Sequence, residues 1–276
     1  MDIKLIAFDL DGTFLNDKKE IPPENLEAIR AAAAKGIHIV PATGRLHIGV
    51  HEAIKALPFV RYFILINGAQ VYDAVEDKTI YKGEIPLDMA LRVIDYAETL
   101  PVLYDCYQNG CGWMNRHMLD RIEDYVENPA MQAAVRRQRR PVEDLRRTLI
   151  ERGESVQKQQ LFFRDMEEMR RQRDEILPRL FPELLHTTSV VTNIEINHVS
   201  AGKDKGLEAL CRHLGFGPEN AMAFGDGTND SCMLRVAGLG VAMSNADKAV
   251  LAAADYVTGS NNEAGVAAAI RRFVLD

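Results

Sequence analysis

Tryptophan occurs once in this chain, at Trp113, and cysteine four times, at Cys106, Cys111, Cys211 and Cys232, with no CxxC pair. So sparse a set argues against a disulfide framework and leaves reduced thiols, to which no chemistry is assigned. Long apolar runs are missing too. None approaches the roughly 18 residues of a spanning helix, and the N-terminus enters a strand-like run without the basic and apolar regions of a signal peptide; a cytoplasmic protein is the expectation. Positive charge is not in excess: 33 Lys and Arg stand against 40 Asp and Glu, a net charge of -7. That balance argues against nucleic acid or an anionic membrane as partner, both of which call for basic surfaces. Internal repeats and low-complexity segments are also lacking. What remains is a chain of 276 residues, 47% hydrophobic, able to bury a large core in one big domain or two modest ones.

The stretch around which the rest is organised follows the apolar run Ile3 to Phe8 and reads Asp9-Leu10-Asp11-Gly12-Thr13. A short buried strand that breaks into two carboxylates delivers acids at its carboxyl end, where open α/β sheets bind ligands. Asp9 and Asp11 are two apart and lean the same way where a strand ends, so they need a cation or a proton between them. Magnesium is the usual cation for such a pair beside a phosphate. A helix opened by Pro22-Pro23-Glu24 and closed at Gly36 follows. The strand Ile37 to Val40 then breaks into Pro41-Ala42-Thr43-Gly44-Arg45. A hydroxyl and unpaired amides at such a break suit phosphate, although Thr-Gly is also an ordinary cap. Arg45 reads as a phosphate or substrate contact or as a solvated charge. A third strand, Tyr62 to Ile66, ends at Asn67-Gly68, and residues 70 to 81 alternate as a hairpin around Glu76-Asp77.

From about Glu84 to Thr188 the texture changes to helical periodicity and short strands without acid-rich ends, which predicts a separate α+β domain inserted into the first. The crossings are expected near 81–86 and near 186–191. Residues 120–152 read as a charged helix whose arginines, Arg136, Arg137, Arg139, Arg140, Arg146 and Arg147, form a solvated face. Trp113, Arg116, His117 and these arginines are the candidates for substrate selection, Trp113 reading more readily as a core residue. Thr192 to Ile196 is expected as a strand returning to the first domain.

Lys203-Asp204-Lys205-Gly206 then opens a helix with an apolar stripe at Leu207, Leu210, Cys211 and Leu214. A lysine in a first turn opposes the helix dipole, a misfit that an anionic partner removes; position favours Lys203, with Lys205 the alternative. Finally Ala221 to Phe224 runs into Gly225-Asp226-Gly227-Thr228-Asn229-Asp230. Its two aspartates, four apart, offer one carboxylate to a metal and another to hold it or a neighbouring lysine from behind.

These four stretches, Asp9 to Thr13, Thr43 to Arg45, Lys203 and Gly225 to Asp230, resemble the four motifs of the haloacid dehalogenase superfamily, most closely its Cof-type branch of magnesium-dependent sugar-phosphate phosphatases. Asn67-Gly68-Ala69 and Gly240 to Met243 fit that branch as well. The resemblance implies an α/β fold, a Rossmann-like doubly wound parallel sheet formed by residues 1–83 and 189–276, with a C2-type α+β cap inserted over 84–188. It implies Asp9 as nucleophile and Asp11 as the acid and base, a double task that needs a raised proton affinity. Mg2+ would sit on Asp9, the Asp11 carbonyl and Asp226, with Asp230 in support. Thr43, Gly44, Arg45, Asn67, Lys203 and Asn229 would bind the phosphoryl group and its ester. The implied substrate is a small phosphorylated metabolite, a hexose or pentose phosphate first. A phosphomutase and a non-catalytic phosphosugar sensor are the alternatives.

Overall fold

The computed structural model describes residues 2–188 and 191–276. Five strands come first: β1 (Leu5–Phe8), β2 (His38–Pro41), β3 (Tyr62–Leu65), β4 (Gln70–Asp73) and β5 (Lys78–Lys82). Six follow, β6 (Leu103–Gln108), β7 (Cys111–Asn115), β8 (Arg139–Val142), β9 (Lys158–Phe162), β10 (Leu184–Thr187) and β11 (Asn193–His198). The last three are β12 (Ala221–Gly225), β13 (Leu239–Ala242) and β14 (Tyr256–Val257). The chain divides into two compact units, Met1–Lys82 with Ala201–Asp276, and Gly83–Ser200.

The first unit is built on a parallel sheet in the order β14-β13-β12-β1-β2. All four residues of β1 are fully buried, as expected of a central parallel strand covered on both faces, and this is why Leu5 to Phe8 is continuously apolar rather than alternating. Register places Phe8 beside Pro41 on one side and Phe224 on the other, so the three motif-bearing segments leave the sheet at the same edge. A bridge between Ala42 and Ile64 brings β3 alongside β2, and β3 continues as the antiparallel ribbon β3-β4-β5. The helices Pro23–Ala34 and Lys203–Leu214 bury apolar faces that include Ile29 in one and Leu207 and Leu210 in the other.

The second unit carries a sheet in the order β10-β11-β9-β6-β7-β8, antiparallel except for β7 with β8. Tyr104, Cys106, Leu161, Ile194 and Ile196 pack with the helices into one apolar cluster. Alternation sends Asp105, Tyr107, Lys158, Gln160, Asn193, Glu195 and Asn197 to the other face. Three expectations change here. The strand at 193–198 joins β9 and β10 rather than the parallel sheet, because its polar residues find partners there: Asn193 donates to Gln160 at 3.0 Å, Lys158 to Glu195 at 2.8 Å, and Asn197 to the Gln157 carbonyl at 3.1 Å. Consequently the second crossing comes after Ser200; the expected boundary at 188/189 adjoins Ser189 and Val190, which lie outside the described residues. The charged segment 120–152 is not one helix. A helix over Pro129–Gln138 gives way to β8, where Pro141 cannot continue a helix, and a second helix, Leu145–Arg152, starts on an Asp144 cap. Arg139 is therefore not solvated: it is buried, donates to Asp105 at 2.8 Å and, like Lys158, lies against the Tyr107 ring.

Candidate active site

Four loops at the carboxyl edge of the parallel sheet supply the residues singled out by the sequence. Asp9 directly follows β1 and is 9% exposed. Lys203, in the first turn of its helix and 1% exposed, donates to Asp9 at 2.7 Å and to Asp230 at 2.6 Å. These carboxylates are the anionic partners its position against the dipole demanded. Lys205, by contrast, is exposed and pairs with Asp204 and Glu208. Asp230 is fully buried, and its second oxygen accepts the backbone N–H groups of Asp226 and Gly227 at 3.1 and 3.0 Å. It thus braces both the lysine and the turn that carries Asp226.

Asp9, Asp226 and Asp230 bring carboxylate oxygens within 4.8 Å of one another. Burial pushes Asp9 up from 3.8 to about 7, Lys203 offsetting part of the effect and Asp230 adding to it. Burial likewise raises Asp226 to about 6, against the hydrogen bond from Thr13 and with a further push from Asp230. Burial disfavours the Lys203 charge, but Asp230 and Asp9 outweigh it and hold the ammonium well above its ordinary value. One lysine among three acids leaves negative charge uncompensated. The donor set is all hard oxygen, and both elevated acids are relieved by a cation, so the residues fit a hard divalent ion.

Asp11 is brought to the same loop but not into this cluster. Its carboxylate accepts a two-point contact from Arg45, 2.9 and 2.7 Å, and a third bond from Lys19 at 2.8 Å. Burial alone would raise the Asp11 carboxyl, but Arg45 and Lys19 outweigh it and hold it below its ordinary value. The proton affinity expected for an acid is absent in this state, because Arg45 faces Asp11 and the Gly49 carbonyl.

The remaining motif residues gather around Asn67. Its backbone has a left-handed φ of 56°, and its side-chain oxygen accepts from Asn229 at 3.2 Å. A Cβ on Gly44 would come within 2.7 Å of that oxygen. Thr43 is buried, its N–H donating to the Ile64 carbonyl at 2.8 Å, so the loop after β2 is fastened to the end of β3. Lys19 and Thr13 were not singled out as site residues. Thr13 is fully buried and its hydroxyl donates to Asp226 at 2.6 Å, while a Cβ at Gly12 (φ 82°) would lie 2.2 Å from an Asp226 oxygen. A hydroxyl directly after a glycine in an acid-bearing turn was the available signal for Thr13. Nothing local marks Lys19. In the second unit the guanidinium groups of Arg140 and Arg152 lie 5.7 and 4.9 Å from the centre of the Trp113 ring, Arg116 pairs with Glu143, and His117 lines a cleft of about 520 Å3 with Tyr104 and Glu98.

Similarity to known proteins extends over the whole chain. The family model of haloacid dehalogenase-like hydrolases matches residues 6–270. The 5-amino-6-(5-phospho-D-ribitylamino)uracil phosphatase of Bacillus subtilis is 34% identical, covering 100% of this chain and 97% of that protein. The pyridoxal phosphate phosphatase of Escherichia coli is 30% identical, covering 97% of each. Among solved structures, a subclass IIB sugar phosphatase of the same superfamily superposes with a TM-score of 0.79 at 27% identity, over 99% of this chain and 100% of that one. A parallel sheet that delivers Asp9, Thr43 and Asp226 to one edge, a helix start that brings Lys203 to them, and relatives that are phosphatases over their whole length have one explanation: the chain belongs to the haloacid dehalogenase-like hydrolases, in their Cof-type branch, and is a phosphoric monoester hydrolase.

Proposed function

We propose that this enzyme hydrolyses small phosphorylated metabolites, sugar phosphates first, in a Mg2+-dependent reaction through an aspartyl-phosphate on Asp9. The observation that carries this reading is the Lys203 ammonium held between Asp9 and Asp230 with Asp226 alongside. A binding protein has no use for a buried carboxylate kept ready by a cation.

Asp9 attacks phosphorus, and the bond from phosphorus to the ester oxygen breaks. Asp11 gives that oxygen a proton, so the leaving group departs as an alcohol. Water then attacks the aspartyl-phosphate, Asp11 takes the water's proton, and the bond between phosphorus and Asp9 breaks to release phosphate. Asp11 therefore has to part from Arg45, or gain its proton against it, as the ester enters. Thr43, the Gly44 amide, Asn229 and Lys203 surround the phosphoryl oxygens, with Asn67 holding Asn229 in place. Asp9, Asp226 and the Asp11 carbonyl would hold Mg2+, with Asp230 bracing them; when bound it shields Asp9 from the substrate's negative charge.

The relatives' names support a phosphate monoester on a small polar metabolite: ribitylaminouracil, pyridoxal and sugar esters. No nucleic acid or membrane partner is proposed, and among the described residues no helix is long and apolar enough to cross a membrane. The test is phosphate release from a panel of such esters, with Mg2+ and with chelator, by wild type and Asp9→Asn. Release that requires both Mg2+ and Asp9 supports the proposal, and the ranking names the substrate class. Tight binding of an ester without any release would replace the enzyme with a sensor, and transfer of phosphate to a second metabolite would make it a mutase.

A further inference from the structure

The acid cluster depends on how closely the loop after β1 approaches the loop after β12, and neither loop fixes that distance alone. Asn245, which follows β13 and belongs to none of the four motifs, reaches the first of these loops, and the turn it begins reaches the second. Its side-chain N–H donates to the Gly12 carbonyl at 2.8 Å, and its side-chain oxygen accepts the Asn261 N–H at 3.0 Å. Two residues on, the Asp247 N–H donates to the Asp226 carbonyl at 3.1 Å. One short turn thus holds a backbone carbonyl from each acid-bearing loop. Asn261, 2% exposed, is itself fixed by donating to the Leu15 carbonyl at 3.1 Å and to Asp17 at 3.0 Å. The carboxamide of Asn245 is therefore oriented at both ends, a role that neither a hydroxyl nor a carboxylate fills.

Gly12 is the joint where such a tie matters. Lacking a Cβ, it is the least restricted residue of its loop, and at φ 82° it lies so close to Asp226 that no side chain fits. Turning its carbonyl would swing Thr13 away from Asp226 and reorient the Asp11 peptide. We propose that Asn245 is a positioning residue for the cation site: its carboxamide, steadied by Asn261, locks the Gly12 carbonyl and so sets the approach of the Asp9–Thr13 loop to Asp226. The inference rests on the Mg2+ reading given above. Groups that orient first ligands typically govern metal affinity by roughly 10–100-fold.

The experiment is calorimetric titration with Mg2+ alone, no ester present, of wild type, Asn245→Ala, Asn245→Asp and Asn262→Ala. Asn262 ties only the neighbouring turn, donating to Asp17 at 2.9 Å. Both Asn245 variants are expected to bind Mg2+ about 10-fold or more weakly, and Asn262→Ala as wild type does. In the presence of chelator all three variants should unfold at similar temperatures, since Asn245 is exposed. Should Asn245→Ala fail to fold, Asn245→Asp carries the test, because it still accepts from Asn261 while it loses the donor to Gly12 and sets a carboxylate oxygen against that carbonyl. Mg2+ affinity within threefold of wild type in the folded Asn245 variants would overturn the inference while leaving the metal reading intact. Wild type that takes up no Mg2+ would overturn both.

Discussion

Arg45 on Asp11 is the contact whose removal says most about the chemistry. Asp11 is ionised below its ordinary range in this state, which suits the base of the second half-reaction and opposes the acid of the first. Replacing Arg45 by Met removes the larger of the two cationic partners, so Asp11 rises and the alkaline limb of kcat/KM, which reports the free enzyme and the step in which Asp11 must carry its proton, moves toward neutrality. An unmoved limb in a pH series would show that Asp11 does not set it. Asp11→Asn should lower kcat by about 10^2–10^4-fold, the usual worth of a general acid and base, as steady-state kinetics would show. Lys203 carries a different kind of weight. With Lys203 at 1% exposure and Asp230 at 0%, Lys203→Met strands buried carboxylates, a loss on the order of 3–5 kcal/mol. Denaturant unfolding in chelator is the check, and Lys203→Arg should not rescue it, because a planar fork does not fit where one ammonium meets two acids.

The elements carrying these residues are held close by missing side chains. Gly68, at the end of β3's loop with φ 87°, has no room for a Cβ, which would sit 2.0 Å from the Gly202 carbonyl and 2.9 Å from the Lys203 nitrogen. Gly68→Ala therefore pushes on the start of the helix whose first residue is Lys203. The expected cost is about 1–3 kcal/mol of overpacking together with a fall in kcat, though Gly68 touches no reacting group. Unchanged kcat in the folded variant would show that the helix start tolerates the shift. This packing was invisible in the sequence, where Asn67-Gly68 reads as a turn. The parallel strands β1, β2 and β12 were legible because each is an apolar run stopping at an acid or a hydroxyl, a local signal. The strand at 193–198 was equally legible as a strand but not in its partnership. Which sheet a strand joins is decided by Gln160 and Lys158 some thirty residues away. Arg139 was misplaced for a related reason: only the fold puts Asp105 opposite it.

For the whole molecule, stability, pH and the metal are one linked question. Asp9 and Asp226 stand near 7 and 6 when folded, against an ordinary 3.8, so in the metal-free state the folded protein holds protons the unfolded chain has lost. Between about pH 4 and pH 7 that difference makes stability fall as pH rises. Asp11 contributes with the opposite sign: its lowered value adds stability above the ordinary carboxylate range, lost as pH falls through its folded value, and so outside this window. Mg2+ requires deprotonated carboxylates, so protons compete with it at pH 5 and hardly at pH 7.5. At a hundred times its dissociation constant, Mg2+ would add about 2.7 kcal/mol, a shift of roughly 5–10 °C for a chain of this size. Thermal unfolding in excess Mg2+ and in chelator should therefore give curves that nearly coincide at pH 5 and separate by that amount at pH 7.5. A separation equal at both pH values would mean that Mg2+ binds away from Asp9 and Asp226, whose protons it has to displace in that range.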